Sequence, residues 1–194
     1  MGYHLRMDGS AYLNDQFLIA MPGLEDPNFS RAVTYLCQHN DAGALGITIN
    51  RASELMVGDV LDQLKIECED DAWGDQPVLV GGPVHQDRGF VLHRENGQQW
   101  KSSFSVTPDI TLTTSRDILE GLAAGNGPEH SLLALGYAGW GAGQLESEML
   151  NNAWLSCDAD ARILFDAPLD DRWQHAAANL GVNIETLTGV AGHA

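Results

Sequence analysis

Arg31-Ala-Val-Thr-Tyr-Leu-Cys-Gln-His39, then Asn40-Asp41-Ala42-Gly43, then Ala44-Leu-Gly-Ile-Thr-Ile-Asn50 is the stretch on which the fold turns. Val33, Tyr35, Cys37 and His39 fall on alternate positions, the spacing of one face of a strand. Asn40 to Gly43 has the composition of a hairpin turn, because Asn, Asp and Gly tolerate the backbone angles such turns require. Ala44 to Asn50 then returns as the partner strand. A tight turn between strands dictates antiparallel pairing, so a strictly repeated βαβ architecture is excluded.

The same reading extends in both directions. Phe17 to Met21 predicts a buried strand stopped by Pro22, and Asp26-Pro27-Asn28 predicts a loop. The spacing predicts a helix over Ser53–Leu64, with Val57, Val60, Leu61 and Leu64 on one face. Glu67 to Asp75 reads as an acidic loop. Strands follow at Pro77–Val80 and Gly89–His93, separated by Gly81-Gly82-Pro83, with a turn at Asn96-Gly97 and strand pieces in Phe104–Thr113 broken at Pro108. Thr114 to Ala124 predicts a helix, with Thr114 and Asp117 in capping-box relation. A buried strand over Ser131–Tyr137, a helix over Gln144–Asn151, a short strand over Ala153–Cys157 and a last helix opened by Pro168 and closed by Gly181 complete the series. The expected fold is α/β (α+β): a single compact domain with a mixed, largely antiparallel sheet flanked by helices. It spans residues 17–194 and follows a flexible N-terminal arm, residues 1–16.

Charge narrows the function. Ten Lys and Arg face 27 Asp and Glu, a formal net charge of −17. Lysine occurs only at Lys65 and Lys101, and no basic run exists. A duplex-binding surface must neutralise several phosphates, and a field of this sign opposes that approach. No segment has the apolar length of a membrane helix, and the first residues lack a signal-peptide pattern. Cys37, Cys68 and Cys157 give no disulfide framework. Together these favour the cytoplasm.

The motifs follow one another in a distinctive order. Phe17-Leu-Ile-Ala-Met-Pro-Gly-Leu-Glu-Asp-Pro-Asn-Phe29 leads into Val33-Thr-Tyr-Leu-Cys-Gln-His-Asn40 and Gly43-Ala-Leu-Gly-Ile-Thr-Ile-Asn50. Val80-Gly-Gly-Pro83, Asp87-Arg-Gly-Phe-Val-Leu-His93 and Thr113-Thr-Ser-Arg-Asp117 come next. Leu135-Gly-Tyr-Ala-Gly-Trp-Gly-Ala-Gly-Gln-Leu-Glu146, Asn152-Ala-Trp-Leu155 and Asp171-Arg-Trp173 close the series. From Phe17 onward the chain resembles the AlgH/YqgE family. That resemblance implies a compact bacterial cytosolic protein of unestablished biochemistry, in a family named for a link to the regulation of alginate synthesis. Its members often carry the label of transcriptional regulator. It supplies no catalytic residues to carry over.

The residues themselves suggest several chemistries. Gly139-Trp-Gly-Ala-Gly143 lies where a phosphate loop would, but Gln144 stands where a dinucleotide fingerprint needs a third glycine. Glu146 and Glu148 would repel a phosphate there and instead suit the helix dipole. A tight turn that packs or presents Trp140 explains the stretch as well. No metal-ligand spacing and no hydrolase elbow occur, so no metal or cofactor is expected. Cys37 shares a strand face with His39, which makes it a candidate nucleophile, although buried structural cysteine is the commoner case. The remaining polar and aromatic set is Asp87, Arg88, His93, Arg116, Asp117, Trp140, Gln144, Glu146 and Trp154. One reading pairs Arg88 and Arg116 with their neighbouring aspartates as loop-organising ion pairs. The other makes a pocket in which Arg88 and Arg116 hold an anion against the flat wall of Trp140. The expected partners are a small anionic ligand or another protein, in a regulatory binding protein. The alternatives are an enzyme built on Cys37 or the Arg88/Arg116 site and, last, a direct DNA-binding regulator.

Overall fold

The computed structural model describes residues 12–181. In chain order the elements are β1 (Gln16–Ala20), β2 (Val33–Asn40), β3 (Gly43–Thr48), β4 (Ala52–Met56), α1 (Val57–Gln63), α2 (Asp71–Gly74), β5 (Pro77–Val80) and β6 (Val84–Arg94). They continue as β7 (Ser103–Ser105), β8 (Ile110–Thr113), α3 (Arg116–Ala123), β9 (Ser131–Gly141), α4 (Gln144–Leu150), β10 (Trp154–Asp158), α5 (Ala161–Phe165), a 3-10 turn (Leu169–Asp171) and α6 (Arg172–Asn179). The chain forms two compact units. One comprises the residues up to Asn50 with those from Ala138 onward, and the other is Arg51–Tyr137. Strand β9 crosses the boundary between them.

In the first unit the strands run β10-β1-β2-β3, followed by the end of β9. The predicted hairpin is present, with Asn40 opposite Gly43 and Tyr35 opposite Ile47. A bulge between Leu36 and Gln38 interrupts its register. Gly43 has φ +132, and a Cβ there would collide with the Trp140 carbonyl oxygen, so the turn needs glycine both for its angle and for the close approach of β9. Strand β1 is buried from Phe17 to Ala20, as expected of a strand paired on both sides. Leu18, Leu36, Ala138, Leu145, Trp140 and Trp154 form the core. Arg172 is also buried. Its guanidinium donates to the Ile49 carbonyl at 2.6 Å and the Ala167 carbonyl at 3.0 Å, and burial lowers its pKa to about 10, still charged at neutral pH.

The part of the predicted arm that is described is fastened down. Asp15 N–H donates to the Leu36 carbonyl, and Tyr35 Oη donates to Asp15 at 2.8 Å. Residues 1–11 of that arm lie outside the described residues, as do residues 182–194 of the predicted domain.

In the second unit β5 runs parallel to β9, while β4–β5, β6–β9, β6–β8 and β7–β8 are antiparallel. The predicted helix over Ser53–Leu64 is corrected at its start. Ala52–Met56 is a strand, because Ala52 and Met56 pair with Leu79 and Pro77, and lateral pairing overrides the local helical spacing. The acidic loop contains the one-turn helix α2, capped by Asp70 through the Trp73 N–H. Helix α3 starts later than expected: Ser115, not Thr114, is its N-cap. Strand β9 runs past Tyr137 to Gly141, so most of the glycine-rich stretch is strand rather than loop. Helix α5, absent from the sequence reading, is capped by Asp160.

The core of the second unit joins Val57 and Leu61 of α1 to Val91, Ile118, Leu122 and Leu133. The apolar stripe of α1 is wider than this core requires. Val60 packs against this core while also lining an open cleft, and Leu64, assigned to the same buried face in the sequence, is exposed along that cleft.

Candidate functional site

The cleft has a volume of about 430 Å³ and lies wholly within the second unit. Leu55, Val60, Val91, Leu133 and Leu135 supply apolar wall, while Thr113, Thr114, Ser115, Arg116, Gln63 and Asp87 supply polar atoms. Its elements come from distant parts of the chain, and strand β6 contributes Asp87, Gly89 and Val91. Val84 pairs with Tyr137, but the next pair is Gly89 with Leu135, so residues 85–88 leave the ladder as a bulge. His85 sits at φ +47, a conformation uncommon outside glycine, with its ring 5.9 Å from that of Tyr137. Beneath the bulge two glycines bring backbones together. A Cβ on Gly136, at φ +76, would collide with the Gly82 carbonyl and lie 3.1 Å from that of Val84. Gly81 meets the Gly136 carbonyl in the same way.

Of the nominated residues, Asp87 and Arg116 line this cleft. Arg88 does not; its guanidinium lies 5.8 Å from the Phe90 ring centroid. The expected Arg–Asp pairs are replaced by others. Arg116 Nε donates to Glu120 at 2.8 Å, one turn along α3, and Nη2 donates to the Leu64 carbonyl at 2.9 Å. Asp117 is occupied elsewhere. It accepts from Ser115 Oγ at 2.5 Å, Lys101 N–H at 2.9 Å and Ile118 N–H at 3.1 Å. Burial raises its carboxyl pKa, but these bonds prevail and hold it below the usual carboxylate range.

His93 is fully buried. Its Nδ1 donates to the Arg94 carbonyl at 3.0 Å, leaving Nε2 to accept from Thr113 Oγ1 at 2.9 Å. Burial lowers its pKa, against smaller opposing contributions from Arg94 and Glu95, so the ring is neutral and touches the cleft only through Thr113.

The other nominated residues belong to the first unit. Trp140 is core there rather than an open wall. It stacks on Phe29 at 6.3 Å and meets Trp154 edge-on at 5.9 Å. Glu148, read in the sequence only as a dipole partner, holds this cluster together. Its Oε2 accepts from the indole N–H of both Trp140 and Trp154 at 2.9 Å, and Gln144 donates to its Oε1 at 3.0 Å. Gln144 in turn accepts from Gly141 N–H. Glu146 pairs with His39 at 3.0 Å, and the other ring nitrogen of His39 accepts from Leu13 N–H.

Cys37 lies in the same unit and is enclosed. Its thiol donates to the Tyr35 carbonyl at 3.7 Å, and burial, aided by the charge of Asp15, pushes its pKa far above the usual thiol value. Both burial and the charge of Asp15 act against a thiolate there. Alkylation of Cys37 by iodoacetamide at neutral pH is therefore expected only on unfolding, which peptide mapping with and without urea checks. Fast modification of the native chain would restore the nucleophile reading.

Comparison with known proteins agrees with this architecture. The AlgH-like family model matches residues 17–185. A UPF0301 protein of Thioalkalivibrio sulfidiphilus is 55% identical over 188 residues, covering 97% of this chain and 100% of the relative. One from Xanthomonas campestris pv. campestris is 53% identical over 182 residues, covering 94% and 96%. The solution structure of the AlgH protein from Pseudomonas aeruginosa is similar at a TM-score of 0.78 and 51% identity, covering 94% of this chain and 96% of that one. A crystal structure of a Corynebacterium diphtheriae protein shares the fold at a TM-score of 0.72 and 18% identity, covering 96% and 94%. Matched along nearly its whole described length, the chain belongs to the AlgH-like family.

Proposed function

We propose that this protein is a regulatory binding protein whose cleft in the Arg51–Tyr137 unit takes a small ligand with an apolar body, and that it acts through a partner protein. The observation that carries the reading is the cleft itself. Its volume of about 430 Å³ is in the range of small-molecule sites, and aliphatic walls meet a few polar groups along it. Each methylene a ligand buries there contributes about 0.8 kcal/mol before the costs of association. Direct recognition of DNA is disfavoured by the net charge of −17. An enzyme built on Cys37 is disfavoured by the burial of its thiol.

Gly89 gives a clean test. It lines the cleft, and a Cβ there would meet only Leu133 Cδ1, at an ordinary 3.6 Å. Gly89→Leu should therefore fill the cleft while preserving the strand. Native mass spectrometry of the gently purified protein is expected to show a retained small mass in the original chain and its loss in Gly89→Leu, with thermal midpoints within a few degrees. Retention of the same mass by a folded Gly89→Leu protein would move the site elsewhere.

A further inference from the structure

Which ligands suit the cleft depends on the charge left uncompensated along it. The bulge of β6 exposes residues 85–88 and brings Asp87 to the cleft, where it forms no hydrogen bond or ion pair with any described residue. Arg116 also lines the cleft, but its guanidinium is engaged by Glu120 and by the Leu64 carbonyl. Arg88, which sits in the bulge itself, lies over Phe90 and does not line the cleft. The residual local charge is thus one carboxylate. The net charge of −17 has the same sign and attracts cations to the protein. A carboxylate ligand would share Arg116 with Glu120 and would hold its own charge near Asp87.

We infer that the cleft takes an organic cation, an aliphatic amine or a compound of that chemistry. Its chain enters among Leu55, Val60, Leu133 and Leu135, and its ammonium pairs with Asp87. This reverses the sign of ligand that the arginines alone suggest, and it rests on the cleft reading above. The inference needs no movement of the fold: the apolar wall is formed and the counter-ion is already exposed.

The experiment is a titration of the full-length, nitrogen-15-labelled protein at pH 7 with three probes of equal chain length: n-hexylamine, n-hexanol and hexanoate. Hexylamine is expected to give saturable shifts at the amides of Gly89, Thr114 and Leu135 and to bind more tightly than hexanoate. Asp87→Asn, a change at an exposed side chain, should weaken hexylamine roughly two- to fivefold and leave hexanol unchanged. Hexanoate binding as tightly as hexylamine, or hexylamine binding equally well to Asp87→Asn, overturns the cation assignment while leaving the cleft as a site. If no probe shifts these amides, or if Gly89→Leu responds as the original chain does, the cleft reading fails and this inference fails with it.

Discussion

Replacing Glu148 with Ala is expected to cost about 3–5 kcal/mol of unfolding free energy, because two buried indole N–H groups lose one charged acceptor. Trp140 and Trp154 are 6% and 2% exposed, so little water can reach either ring to replace the bond. Both donate to the same oxygen of Glu148 at 2.9 Å, one from the end of β9 and one from the start of β10. The carboxylate thus ties together the two strands that flank α4. Hydrogen bonds to a charged group are worth about 1.5–3 kcal/mol each, and a stranded buried donor adds a desolvation cost. Glu148→Gln keeps a carbonyl oxygen that can accept from both indoles, so its loss should be about 1 kcal/mol. Urea unfolding followed by tryptophan fluorescence measures both variants. A Glu148→Ala protein within 1 kcal/mol of the original would show that the clamp contributes little.

Gly136→Ala is expected to cost about 3–4 kcal/mol, from a left-handed backbone conformation and from overpacking. The residue has φ +76, where a Cβ is disfavoured, and the added methyl would collide with the Gly82 carbonyl and crowd that of Val84. These contacts are backbone, so no rotamer change relieves them. Relief requires β9 to separate from the Gly81–Val84 segment, and that segment leads into the bulge carrying Asp87. Gly136→Ala should therefore impair ligand retention as well as stability. Thermal unfolding with native mass spectrometry of the same sample checks both. Gly125→Ala provides a comparison: its φ of +71 carries similar strain, but no atom lies within 4 Å of the added Cβ. It should lose only the conformational part, about 1–2 kcal/mol. Equal losses in the two variants would show that the close approach at Gly136 has no energetic weight.

The hairpin of β2 and β3 was legible because its two signals are local: alternation along the strands and turn residues between them. Where pairing is remote, local reading failed. Ser53 to Met56 fits a helical continuation of α1, yet those residues form β4 because β5 offers them hydrogen bonds. The stretch Gly139 to Gly143 resembles a loop when taken alone. Gly139 and Gly141 instead extend β9, because Leu45 and Gly43 of β3 offer them pairing partners, while Gly143 caps α4 in the left-handed conformation.

The site divides along the same line. Arg116 was identifiable as a scarce arginine inside a motif, and Asp87 as the neighbour of another, but the partners of Arg116 were not read from adjacency. The i,i+4 rule would have paired Arg116 with Glu120 rather than Asp117. Glu148 serves tryptophans eight residues before it and six after it, a relation that only the path from β9 through α4 to β10 creates. The cleft has no local signature at all. Leu55, Gly89 and Leu133 belong to separate strands, and Val60 and Leu64 resemble core residues on a helical wheel.

The most direct measurement for the cleft as a binding site is a methyl spectrum of protein with carbon-13-labelled Leu and Val methyls, recorded before and after adding the small-molecule fraction of a bacterial extract. Binding in the cleft predicts shifts at the methyls of Leu55, Val60, Leu133 and Leu135, with those of Leu18 and Leu36 in the first unit's core unchanged. Shifts confined to the first unit, or an unchanged spectrum with a concentrated extract, would contradict it.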